Sequence, residues 1–151
     1  MLISGTWHLC DDGIARPVIR AEIQASDSAW VKTPFLVDTG ADRTVFSADI
    51  LKALHLSPVE TEDRIGGVGG VTASIVVETR IRLTRENNGK VLFRGRYAGV
   101  TAVEALDMSV LGRDITNLFA VIVDWPQQVV CLVGQRHQYT VTQHRRREGN
   151  T

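Results

Sequence analysis

Within Val18–Gln24, apolar and polar residues alternate from Ile19 onward, with Ile19, Ala21 and Ile23 on one face and Arg20, Glu22 and Gln24 on the other. A period of two marks a strand with one buried and one wetted face. Further β-rich runs are Thr6–Cys10, Pro34–Val37, Ile75–Thr84, Val91–Tyr97, Ala120–Val123 and Val129–Val133. Turn chemistry separates them. Asp12-Gly13 reads as a turn, and Asn87-Asn88-Gly89 should join two of the runs in a hairpin, Asn-Gly being the strongest short hairpin signal. Trp125-Pro126-Gln127-Gln128 places proline at the second position of a type I turn. Helical spacing is confined to two segments. Ser47 can cap Ala48–His55, where Ile50, Leu51 and Leu54 share a face, and Arg113–Phe119 follows Gly112. Many short strands, frequent turns and two short helices predict an all-β fold, a single closed β-barrel.

Composition narrows the reading. A chain of 151 residues suits one domain. Its motif-supported core runs over about 18–132, with a C-terminal strand and basic tail at 134–151. Lys plus Arg (17) balance Asp plus Glu (17), which argues against a nucleic-acid or membrane-surface binder. The run His144-Arg145-Arg146-Arg147 reads as a solvated end. Cys10 and Cys131, each among apolar neighbours, are too few for a disulfide framework and lack metal or redox spacing. No metal and no cofactor are expected. The start MLISGTWHLCDDG does not resemble a signal peptide, and no apolar run approaches the roughly 20 residues that span a bilayer. A cytoplasmic location is the expectation.

Three stretches stand apart. They are Phe35-Leu36-Val37-Asp38-Thr39-Gly40-Ala41-Asp42 followed by Thr44-Val45-Phe46, then Arg64-Ile65-Gly66-Gly67-Val68-Gly69-Gly70-Val71, and last Ser109-Val110-Leu111-Gly112-Arg113-Asp114. Taken singly, each has a bland reading. Asp-Thr-Gly can be an ordinary turn, the glycine run a surface loop, and Leu111-Gly112-Arg113 a strand-to-helix junction. A phosphate-binding loop is disfavoured, because Thr72–Val77 continues as a strand rather than opening a helix.

In this order and spacing, the three stretches together resemble the retroviral-type, or retropepsin-like, aspartic proteases. The likeness covers about Val18 to Leu132 and is closer to cellular or bacterial members than to the minimal viral enzyme, since the Ser47–His55 helix and the Asn88-Gly89 hairpin exceed the latter. It implies a cleft with two Asp-Thr-Gly motifs. This chain has one, so the resemblance implies a C2 homodimer in which each copy gives one Asp38. Two carboxylates side by side would share a proton and activate a water against a peptide bond. In the family the Thr39 hydroxyl bonds across the dimer axis and Gly40 permits the tight turn. Ala41, unlike serine, has no hydroxyl to offer the carboxylate, which favours activity at mildly acidic pH.

The resemblance also assigns the surroundings. Ile65, Gly66, Gly67 and Val68 match a flap that closes over an extended peptide. Met108 and Val110 match side-chain pockets, with Ala41 and Asp42 also facing substrate, and apolar side chains are expected around the cut. Val110 reads equally well as core. Arg113 matches an arginine forming a buried, bidentate pair with Asp42 as structural support. Arg43 departs from a position often acidic in viral members. Gln138–Thr142 could replace the interleaving C-terminal strand of viral dimers. Asp114, Asp124 and the histidines read as surface or turn residues. An aspartic endopeptidase acting on peptide or protein substrates, with neither nucleic acid nor membrane as partner, is the leading function. The rival is a catalytically silent module that binds peptide or dimerises.

Overall fold

The computed structural model describes residues 1–67, 70–134 and 142, with the backbone alone at 61–67 and 71. In chain order the strands are β1 (Leu2–Ser4), β2 (Thr6–Leu9), β3 (Ala15–Gln24), β4 (Trp30–Val37), β5 (Val45–Phe46), β6 (Glu60–Gly67), β7 (Gly70–Thr84), β8 (Lys90–Val100), β9 (Ser109–Leu111), β10 (Ala120–Asp124) and β11 (Val129–Val133). Helix α1 (Ala48–Leu54) follows β5, a 3₁₀ turn (Val103–Ala105) precedes β9, and α2 (Arg113–Thr116) follows it. None of the described helices is long and apolar enough to cross a membrane. The all-β class agrees with the sequence pattern. Residues 135–141, which include most of the expected C-terminal strand, lie outside the described residues.

Two sheets form. The smaller is β1-β11-β10, and the larger runs β2-β3-β4-β9-β5-β8-β7-β6. An additional pairing of β3 with β7 turns the larger sheet back on itself, so that β3, β4, β9, β5, β8 and β7 form a ring. The alternating face of β3 looks inward, with Ile19 and Ile23 fully buried and Ala21 nearly so. They pack with Phe35, Val77, Ile81 and Leu83 in one core. Burying side chains of this size stabilises by about 1.5–3 kcal/mol each. An aromatic row crosses the ring: Phe35 meets Phe46 edge-on at 6.1 Å, and Phe46 meets Tyr97 at 5.7 Å. Burial pushes the Tyr97 phenol up to about 12, so it remains a neutral donor to the Phe93 carbonyl at 3.1 Å.

Strands outrun their sequence signals where pattern is masked. β4 begins at Trp30, four residues before the expected start. Pro34 is tolerated inside it because β9 pairs only with Phe35–Val37, leaving the Pro34 edge without a ladder bond to lose. The connections share one device. In Cys10–Gly13, Ala25–Ser28, Arg85–Asn88 and Trp125–Gln128, the fourth residue donates its N–H to the first carbonyl and takes a positive φ. Asp12, Asp27 and Asn87 each accept an N–H from two residues on, fixing the exit of three of these turns. The Asn-Gly signal thus does mark a hairpin, but Asn88 rather than Gly89 is left-handed.

Both helices end earlier than expected. α1 stops at Leu54, and His55 takes a left-handed conformation with φ 51°. Ser47 occupies the cap position without a side-chain cap bond. Its N–H donates instead to the Ser109 hydroxyl at 3.0 Å, and that hydroxyl reaches the Ser47 oxygen at 3.4 Å. The serine ties α1 to β9 rather than capping its own amides. α2 is a single turn that continues as irregular turns to Phe119.

The seam that closes the ring carries the densest ion cluster described. Glu22 on β3 lies directly opposite Arg82 on β7. Arg82 donates to both Glu22 oxygens at 2.7 and 3.0 Å, and Lys90 adds a bond at 3.1 Å. The Arg82 guanidinium also lies 4.0 Å over the Trp30 ring. The Arg82 bonds, with help from Lys90 and against the opposing effect of burial, hold Glu22 down at about 2 from an ordinary 4.5. A carboxylate held low stabilises the fold fully above its unfolded value, and the gain is lost as pH falls through the folded one. Glu22→Gln should therefore cost about 1–2 kcal/mol at pH 6. The gap to wild type should narrow below about pH 4.5 and close near pH 2 in urea titrations; a gap that stays constant would show the seam is not held by this charge.

Candidate active site

Strand β9 is threaded between β4 and β5. It runs parallel to β4, with Leu36 beside Val110 and Val37 beside Leu111, and meets β5 antiparallel at Val45. Because β4 and β9 are parallel, their carboxyl ends lie side by side. Asp38 follows one and Gly112 the other, and the Asp38 N–H donates to the Leu111 carbonyl at 3.2 Å.

The loop after β4 folds around the Asp38 carboxylate. The Gly40 N–H donates to Asp38 Oδ1 at 2.9 Å, and the Ala41 N–H to the Asp38 carbonyl at 3.2 Å. A Cβ on Gly40 would stand 3.1 Å from the same Oδ1, so glycine keeps this turn tight. Asp38 is partly buried, while Thr39 and Gly40 are exposed on the face of the single chain.

Arg113 holds the loop from the far side. Its backbone N–H donates to the Ala41 carbonyl at 2.9 Å, Nη1 to the Thr39 carbonyl at 3.0 Å, and Nη2 to the Asp42 carboxylate. The expected buried, bidentate pair is corrected here. The Asp42 side chain is 80% exposed and that of Arg113 41%, and the guanidinium divides its donors between a carbonyl and a carboxylate. Arg113 opens a one-turn helix at the loop's rim, where it spans the loop instead of gripping one acid.

A second lock escaped the sequence reading. Thr44, fully buried, donates its N–H to both Asp114 oxygens at 2.9 Å and its hydroxyl to Oδ1 at 2.7 Å. The same hydroxyl accepts the Gly112 N–H at 3.1 Å. Asp114 is thus no ordinary surface residue: it clamps the start of β5 to the end of β9. The signal was present in part, since Thr44 and Asp114 both fall within the motif stretches, but the pairing spans 70 positions and leaves no local pattern. Gly112 is required by space. A Cβ there would stand 2.2 Å from the Arg43 carbonyl carbon and 2.7 Å from the Thr44 nitrogen.

Asp38, Thr39, Gly40, Ala41, Asp42 and Arg113 therefore gather in one cluster. Met108 and Val110 lie beside it, lining with Leu36 a cavity of about 260 Å³. Leu36 faces away from the core side chains Phe35 and Val37, and Asp38 follows the end of the strand two positions on. Ile65, Gly66 and Gly67 lie on a different element, the β6–β7 hairpin, where they pair with Thr72, Val71 and Gly70. Val68 lies outside the described residues. A larger cavity of about 520 Å³ sits at the opposite, Trp30 end of β4. Its ionic groups are Arg80, Arg94 and Glu78, the last two already paired at 3.2 Å, so it offers no acid pair for catalysis.

Comparison with known proteins bears on the family and the fold. The family described as aspartyl protease matches residues 23–136. Among solved structures the chain is similar to EIAV protease complexed with the inhibitor HBY-793, at 24% identity over 68% of this chain and 86% of that one, with a TM-score of 0.50. It is also similar to a retropepsin-like aspartic protease from Rickettsia conorii, at 18% identity over 87% of this chain and 88% of that one, with a TM-score of 0.51. At these identities the likeness is one of fold, and the bacterial structure accounts for more of the chain than the viral one. No curated protein matches the chain.

The double lock can be measured. Thr44→Val leaves the buried Gly112 N–H without its acceptor and should cost about 2–3 kcal/mol. Gly112→Ala forces a methyl into backbone and should cost about 3 kcal/mol. Urea midpoints unchanged from wild type in either variant would show that the crossing does not carry the loop.

Proposed function

Because the chain belongs to the aspartyl protease family, we propose that it is an aspartic endopeptidase whose site is completed by a second copy of itself. The observation that carries this reading is the Asp38–Thr39–Gly40 loop, fixed from beneath by Gly112 and Arg113 yet open on its outer face. The chain has one Asp-Thr-Gly. The acids that flank the loop and the crossing are committed elsewhere, Asp42 to Arg113 and Asp114 to Thr44. The second carboxylate then comes from the Asp38 of a partner related by a two-fold axis.

In that arrangement two carboxylates held side by side cannot both carry charge cheaply, and they share a proton, as is general for aspartic proteases. The ionised member takes a proton from a water lying between them, and the water oxygen attacks the scissile carbonyl carbon. The protonated member donates to the carbonyl oxygen. Collapse of the tetrahedral intermediate breaks the C–N bond, and the dyad returns a proton to the leaving amine. In the dimer the exposed Thr39 meets its twin across the axis. The β6–β7 hairpin serves as the flap, its glycines leaving backbone amides free to pair with an extended peptide. Arg113 positions the loop and touches no reacting atom.

Asp38→Asn should lower kcat/KM on a peptide library by about 10²–10⁴-fold or more, with urea stability and native mass close to wild type. Activity per chain should fall on dilution together with the dimer fraction read by native mass spectrometry. Equal cleavage by wild type and Asp38→Asn, or full activity of a monomer, would remove this mechanism.

A further inference from the structure

The cavity lined by Leu36, two residues before Asp38, has a composition that an apolar subsite does not require. Its floor is apolar, made by Leu36, Met108 and Val110, but its rim carries Arg16, Glu104 and Asp107. Arg16 is already answered. It donates to both oxygens of Asp12 at 3.0 and 2.6 Å, and its bonds hold that carboxylate down at about 2. Glu104, on the 3₁₀ turn, and Asp107, in the loop entering β9, are exposed and have no hydrogen-bond or ion-pair partner among the described residues. The rim therefore keeps two uncompensated negative charges above a greasy floor. At about 260 Å³ the cavity falls below the roughly 300–1,000 Å³ of pockets that enclose whole small ligands, so its scale suits a single side chain.

From this arrangement we propose that the cavity selects a lysine or arginine side chain of the substrate next to the scissile bond. The proposal rests on the endopeptidase reading and names the substrate class of that site. A long basic side chain suits both halves of the cavity: its methylene stem lies along Leu36, Met108 and Val110, and its cationic head stays wet at Glu104 and Asp107. An aspartate or glutamate in the same place would meet two like charges. A leucine or methionine would fill the floor and leave the rim unused. The apolar preference expected from sequence is thereby refined to an apolar stem with a positive tip.

The test varies one position of an otherwise constant peptide set through norleucine, leucine, lysine, arginine and glutamate. Each exposed ion pair contributes little by itself, so the lysine-to-norleucine ratio of kcat/KM should be roughly tenfold at low ionic strength. Glu104→Gln combined with Asp107→Asn should bring that ratio close to one, and high salt should compress it in the wild type. Affinities of the same peptides for the Asp38→Asn protein read the cavity without turnover. Lysine preference in that binding series alongside no cleavage by wild type would support the cavity's assignment and remove the hydrolytic reading. A wild-type preference for norleucine, or a lysine preference that survives in the double variant, would overturn the inference, as would no binding of any peptide in the set.

Discussion

No side chain fits between Gly112 and the Arg43–Thr44 backbone, and the architecture of the site depends on that contact. It lets β9 pass between β4 and β5 closely enough to pair with both, which brings the ends of two parallel strands together. Asp38 leaves one of those ends and Arg113 the other. Once the crossing is made, the remaining bonds follow at short range: Leu111 to the Asp38 amide, Ala41 to the Arg113 amide, Thr44 to the Gly112 amide. The Asp38 loop is therefore held in place by its backbone neighbours, with side-chain bonds reinforcing a path already imposed.

That rigidity has an electrostatic counterpart. Buried polar groups are costly unless partnered, and the crossing meets this demand almost entirely from within. Thr44, buried completely, uses its hydroxyl as donor to Asp114 and acceptor from Gly112. Ser47 and Ser109 satisfy one another where α1 meets β9. Asp42 and Asp114 are each bound to a residue across the crossing. Asp38 differs in that its described side-chain bond is a local one, from Gly40 within its own turn. The fold thus separates acids that hold the loop from the acid it presents.

What could be read in advance follows from how local each feature is. The β3 alternation, the turns at Asp12-Gly13, Asn87–Gly89 and Trp125–Gln128, and the Asp-Thr-Gly turn are written in consecutive residues, whereas the turn at Ala25–Ser28 was not expected from the sequence. The start of β4 is not, because Trp30–Thr33 lacks a clean alternation and the strand is defined by its register with β3. Ser47 carried a strong cap signal, yet a tertiary partner on β9 took its place. The Thr44–Asp114 clamp and the Glu22–Arg82 seam join residues 70 and 60 positions apart, so neither leaves a spacing that a single sequence could expose. Arg113 shows the intermediate case: family resemblance named its partner, whereas only the geometry reveals that it also holds the Thr39 carbonyl.

The ring and the hairpin differ in how they are held and in composition. Six strands closed at the Glu22–Arg82 seam make a base with no free edge among them, filled by Phe35, Phe46 and Tyr97 beneath the site. The β6–β7 hairpin extends from that base on a single partner strand and carries glycine at 66, 67, 69 and 70, with Gly70 at φ 111° where a side chain would be strained. The glycine-rich hairpin thus lies on a different element from Gly112, where any displacement would carry Asp38 with it.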